Sequence, residues 1–119
     1  MDLQKRIKSF SYAINGLKLL FSSQANARIH LVVALAVVTA GFLYHISPSE
    51  WLAVILCISL VTGMEAMNTA VEWLTDLVSP EFHPLAGKVK DVAAAAVLLT
   101  VLGAVATGMV IFLPRIFQH

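Results

Sequence analysis

The chain has 119 residues, of which 59% are hydrophobic and 13% charged, and its mean hydropathy is +0.84. One small core could not hide so much apolar surface, which excludes a soluble globular domain and predicts a single integral membrane domain. A net charge of +1 excludes a broad basic surface for nucleic acid, and Cys57, the lone cysteine, excludes a disulfide framework or a CxxC metal pair.

Residues 3–22 repeat apolar side chains at helical steps (Leu3, Ile7, Phe10, Ile14, Leu17, Phe21), with Lys5, Arg6, Lys8, Asn15 and Lys18 mostly between them. This pattern predicts a basic amphipathic helix lying on a membrane surface. It lacks the h-region and cleavage site of a signal peptide. Ser22–His30 breaks the pattern and reads as a polar elbow. A first span follows over about 29–47, long enough for a bilayer core of roughly 30 Å. His45–Glu50 is then a short turn, and Trp51 is placed as an interfacial anchor opening a second span over about 51–73.

Glu65-Ala-Met-Asn-Thr-Ala-Val-Glu-Trp-Leu-Thr-Asp76 continues that span as a polar stripe. At 100° per residue Glu65, Asn68, Glu72 and Asp76 share one helix face, with Thr69 between them. Glu65 lies about 21 Å and Glu72 about 31 Å along the helix from Trp51, so the stripe sits at the membrane edge. Ionisable groups there are costly to place and mark function; a polar face that only joins helices would need no charge. Ser79-Pro80 and His83-Pro84 predict a loop over residues 77–90, before a third span over about 92–113. Gly103/Thr107 and Ala104/Gly108 in that span have the spacing of close helix packing. Residues 114–119 read as a tail after Pro114. Lys5, Arg6, Lys8, Lys18, Arg28, Lys88 and Lys90 fall on one side of the spans and Arg115 alone on the other. The positive-inside rule therefore places the N-terminus, the second loop and the carboxylate stripe in the cytoplasm of a multi-pass inner-membrane protein.

Oxygen donors at this spacing suit Mg²⁺, nearby lysines suit phosphate oxygens, and a desolvated Glu65 suits proton abstraction from a hydroxyl. The set fits phosphoryl transfer, although the chain has no Walker-type or kinase-type glycine loop. His30, at a membrane boundary, reads first as a hydrogen-bonded interfacial residue. A proton-coupled exporter fits less well, since it uses an isolated carboxylate deep in a span. A non-catalytic assembly subunit would show no magnesium-dependent stabilisation by nucleotide.

Glu65-Ala-Met-Asn-Thr-Ala-Val-Glu72, Asp76 and the stretch Glu81–Ala96, together with Gly16-Leu17-Lys18 and Arg28-Ile-His30, resemble the bacterial diacylglycerol kinase and undecaprenol kinase family over nearly the whole chain. The resemblance implies an all-α homotrimer, each chain with three membrane helices and a surface helix. It implies transfer of the ATP γ-phosphate to a lipid hydroxyl with Mg²⁺. Glu65 would be the general base, Glu72 a metal and ATP ligand, and Asn68 and Asp76 supporting residues. Lys5, Tyr12, Glu81, Phe82, His83, Lys90 and Asp91 would meet the nucleotide, and Lys18, Arg28 and Ala94 the acceptor. The family's second metal-binding Glu is matched here by Gln24, whose carbonyl oxygen coordinates without charge. Weaker Mg²⁺ binding is expected, with an impaired or non-catalytic relative as the alternative. The wording of His83–Ala86 and Lys90–Ala94 is nearer the undecaprenol branch, with diacylglycerol the alternative acceptor.

Overall fold

The computed structural model describes residues 2–118. Among them are four helices, α1 (Leu3–Ser23), α2 (Ala25–Leu43), α3 (Pro48–Val78) and α4 (Pro84–Phe117). Helices α2, α3 and α4 are each long and apolar enough to cross a membrane, as the hydropathy pattern predicts. Helix α3 has 31 residues and α4 has 34, roughly 46 and 51 Å at 1.5 Å per residue. Both overshoot a bilayer core of about 30 Å, which leaves room for a polar face at the end of α3.

The connections are shorter than the sequence suggests, because their polar residues cap helices instead of forming loops. The expected elbow over Ser22–His30 shrinks to a break at Gln24, whose backbone is extended. Ser22 and Ser23 remain helical, their hydroxyls donating to the Leu19 carbonyl. Arg28 Nη1 donates to the carbonyls of Phe21 (2.9 Å) and Ser22 (3.1 Å), which have no partner within the helix at its C-terminus. Helix α2 stops at Leu43, ahead of the expected end near residue 47, and His45 takes a left-handed conformation with φ 52°. Ser47 then opens α3 with a reciprocal cap: its hydroxyl accepts from the Glu50 N–H, and the Glu50 carboxylate accepts from the Ser47 N–H.

Two prolines act differently from the expectation that they end structure. Helix α4 begins at Pro84, inside the expected 77–90 loop, because a first-turn proline gives up an N–H that has no helical partner anyway. The His83 Nδ1 caps this end by accepting from the Leu85 N–H at 3.1 Å. Pro114 lies inside α4, which continues to Phe117 instead of ending in a free tail. The ring removes one backbone bond near the helix end. Arg115 holds this last turn, donating to the Ile111 carbonyl and to both Glu50 carboxylate oxygens at 2.7 and 2.6 Å.

Helices α3 and α4 form an antiparallel hairpin with an ion pair at each end, Asp76–Lys90 and Glu50–Arg115. Near the second pair, Ile46, Val54 and Ile111 form a small core flanked by Val37, Trp51 and Phe112. Trp51 packs inward there, against Gly41 and 4.8 Å from the Phe42 ring centroid. Gly41 is where close approach is required, since a Cβ would lie 2.7 Å from the Trp51 ring. Gly103 and Gly108, expected to mediate tight packing, meet nothing within 4 Å of a built Cβ. Gly108 instead borders a cavity of about 230 Å³ between α2, α3 and α4. Most large apolar side chains, among them Leu35, Leu60 and Leu99, point outward from the chain.

Candidate active site

Helix α3 carries the polar stripe from the interior of the fold to its surface. Glu65 is 3% exposed, whereas four residues further on than Glu72 the Asp76 side chain is 62% exposed. Between them Glu72 is half-buried. The burial of Glu65 follows from the break at Gln24, which folds α1 back so that α1 and α2 both meet α3. Leu20 from α1 and Ala27 from α2 are buried on either side of that break. A small residue at position 27 fits this crowded junction.

Buried Glu65 faces one basic group within 4 Å among the described residues: His30 Nε2 lies 3.6 Å from its Oε2. The His30 side chain is 25% exposed, and it also borders the cavity between the helices. Thr69, buried beside the stripe, is not free to bind a ligand through its proton, because its hydroxyl donates to the Glu65 carbonyl at 3.0 Å. Asn68 Nδ2 donates to Glu72 Oε1 at 3.3 Å, which fixes the carboxylate and confirms that these two residues share a face. A carboxylate only accepts, so the amide must turn its N–H groups toward Glu72. Its carbonyl Oδ1 is then left buried with no donor among the described residues. An unmet acceptor of this kind costs about 1–3 kcal/mol, which makes it a ready partner for a donor on a ligand.

Further out, Lys90 Nζ donates to Asp76 Oδ1 and joins α4 to the stripe. The ammonium has three protons, so this bond leaves it able to hold a phosphate oxygen as well. Arg28 and His83 have capping roles, as described above. Gln24 is half-buried at the helix break, its Nε2 donating to Ser23 Oγ at 3.4 Å and its carbonyl oxygen uncommitted by that bond. Lys5, Tyr12, Lys18, Glu81, Phe82, Asp91 and Ala94 are exposed. The chain therefore assembles Glu65 with His30, Asn68 with Glu72, and Asp76 with Lys90, while the exposed residues of α1 and the 79–83 loop make no ion pair with these groups among the described residues.

A model of the prokaryotic diacylglycerol kinase family matches residues 11–112. The chain belongs to that family. It is 36% identical to the undecaprenol kinase of Bacillus subtilis over 97% of this chain and 94% of the relative. It is 34% identical to the diacylglycerol kinase of Escherichia coli K12 over 85% of this chain and 83% of the relative. A diacylglycerol kinase of Synechocystis is 41% identical over 92% of this chain, which spans 63% of that relative's length. As a diacylglycerol kinase family member the chain has its matched region running from α1 almost to the end of α4, so the whole polar stripe lies inside it. His30 is the residue that sequence reasoning left out of the site. Its membrane-boundary position gave no sign of Glu65, 35 positions away on another helix, as its neighbour.

Proposed function

We propose that this chain is an ATP-dependent lipid kinase of the cytoplasmic membrane, transferring the γ-phosphate to a lipid hydroxyl at the cytoplasmic face. Undecaprenol is the acceptor on this reading, with diacylglycerol the second candidate. Membership of the kinase family supports the reaction class. The observation that carries the site is a buried carboxylate, Glu65, two helical turns from an oriented one, Glu72, on a helix long and apolar enough to cross a membrane.

Glu65 takes the proton of the acceptor hydroxyl as the oxygen attacks phosphorus. Asn68 holds Glu72 in place and offers its unmet carbonyl oxygen to a donor on the incoming substrate. Lys90, anchored by Asp76, supplies positive charge to phosphate oxygens. Lys5, Tyr12, Glu81, Phe82, His83 and Asp91 meet the nucleotide, and Lys18, Arg28 and Ala94 the acceptor. The available metal donors, the Glu72 carboxylate and the Gln24 carbonyl, are hard oxygens and fit Mg²⁺. Among the described residues no three His, Cys, Asp or Glu side chains converge. On this reading the chain would supply only part of a coordination shell, the rest coming from substrate phosphates. Bound there, Mg²⁺ neutralises charge on the phosphates. A homotrimer with sites shared between copies accounts for two features of the single chain: exposed α1 and loop residues, and open helix faces at Gly103 and Gly108.

The test is ATP-dependent labelling in mixed micelles with undecaprenol and diacylglycerol offered together, with and without magnesium. Magnesium-dependent labelling, mainly of undecaprenol, is expected. Glu65→Gln, which keeps shape but cannot accept the proton, is expected to lose at least 10²-fold in turnover while keeping its oligomeric size. Labelling of neither lipid by folded wild-type protein would overturn the activity.

A further inference from the structure

The proposed reaction leaves a proton on Glu65, and the fold gives that proton few ways out. Glu65 is 3% exposed, so its carboxyl has almost no direct contact with water. It must nevertheless lose the proton before each new turnover. Thr69 is no sink for it, since a hydroxyl is not basic enough to hold an extra proton and its own proton goes to the Glu65 backbone carbonyl. No Lys or Arg side chain lies within 4 Å of the carboxylate among the described residues; His30 alone does. His30 combines three properties found in no other neighbour: a nitrogen 3.6 Å from Glu65 Oε2, a side chain 25% exposed against 4% for Glu65, and a ring with one nitrogen able to accept a proton and another able to release one.

We propose that His30 is the proton outlet of Glu65, resetting the base after each phosphoryl transfer. This rests on the reading of Glu65 as the base. In the transfer step the acceptor O–H bond breaks, its oxygen bonds to phosphorus, and the proton passes to Glu65. In the reset, Glu65 Oε2 gives that proton to the lone pair of neutral His30 Nε2. The imidazolium then releases a proton from Nδ1 to water, and the carboxylate is restored. The heavy atoms must close from 3.6 Å to within about 3.2 Å for transfer, a small side-chain rotation of the kind that substrate binding induces. His30 acts through Glu65 and is a positioning residue in the sense that it need not touch the substrate. The plainer role, a half-buried histidine lending a hydrogen bond to a buried carboxylate, would be filled equally well by glutamine.

The decisive measurement is rapid-quench kinetics on the wild type, His30→Gln, His30→Ala and Glu65→Gln in undecaprenol micelles with saturating Mg-ATP. Glutamine preserves size and an N–H donor but cannot accept a proton. If His30 resets the base, His30→Gln makes its first phosphorylated lipid at the wild-type rate, in a burst equal to the number of sites. It then turns over on the order of 10²-fold more slowly, with KM for ATP and acceptor within about twofold of wild type. His30→Ala behaves the same way provided that its melting temperature shows it folded; His30→Gln decides the matter otherwise. A wild-type steady state in His30→Gln overturns the inference, because a hydrogen bond is then all that His30 supplies. A slow first turnover without a burst also overturns it, because His30 then shapes the site instead of clearing it. Glu65→Gln is expected to give neither burst nor turnover. Activity in that variant would remove Glu65 as the base and this inference with it, whereas an inactive Glu65→Gln beside a fully active His30→Gln removes the His30 role alone.

Discussion

Position 24 is where a single atom type has the largest expected effect. Its side chain is half-buried at the junction of α1 and α2, and it offers a neutral oxygen where the family resemblance implies a carboxylate. A full charge about 4 Å from a divalent ion in water-like surroundings is worth roughly 2 kcal/mol, more than tenfold in affinity. Gln24→Glu is therefore expected to lower the magnesium concentration at half-maximal kinase rate by about tenfold or more. An unchanged magnesium titration would place residue 24 outside the metal shell. The neighbouring capping side chains explain why the elbow's polarity was easy to see in the sequence and easy to misread. Ser22, Ser23 and Arg28 serve helix ends, and only the fold shows which carbonyls they reach.

At the α2–α3 turn, two helices approach closely. Gly41, Phe42 and Trp51 are close in sequence, yet Trp51 alone looked like a membrane-interface anchor. In the fold it covers Gly41, and a side chain at 41 would have to displace the indole or the Ile46 side chain. Replacing a helical glycine gains up to about 1 kcal/mol of helix propensity, while forcing extra atoms into a packed contact costs about 1–3 kcal/mol. Overpacking should prevail for a β-branched residue, so Gly41→Val is expected to lower the melting temperature in detergent. An equal or higher melting temperature would show that Trp51 moves aside freely. The small residues of α4 carry the opposite lesson. Their spacing announces close packing, but in this chain Gly103 and Gly108 face open space, which spacing alone cannot reveal.

For the whole molecule, two ion pairs hold the α3–α4 hairpin, one at each end. The Glu50–Arg115 pair is bidentate and lies just outside the segments expected to span, about 51–73 and 92–113. The Arg115 guanidinium and then the Ser47 N–H hold the Glu50 carboxyl from its ordinary 4.5 down to about 2. Because the folded value is depressed, the stabilisation is fully present above about 4.5 and is lost as the pH falls toward 2. Arg115→Met is thus expected to melt below the wild type at neutral pH, with the difference shrinking through that acid window. A difference that stays constant with pH would show that Arg115 acts through its contact with the Ile111 carbonyl. At the same scale, native mass spectrometry in detergent is expected to give three copies per particle. A monomer with full kinase activity would rule out a site shared between copies.

Composition and hydropathy determined the membrane class and the three crossing helices, because about 20 apolar residues in a row have few other stable environments. Periodicity also put Asn68 and Glu72 on one face, since residues four apart on a helix are neighbours whatever surrounds them. The Glu65 motif, read against its family, located the candidate chemistry. What the sequence left undecided depends on contacts between distant segments: where helices end once side chains cap them, how deeply Glu65 is buried, and which group stands beside it. The His30–Glu65 pair joins α2 to α3 across 35 positions. No local spacing encodes that proximity; the break at Gln24 and the packing of α1 and α2 against α3 create it.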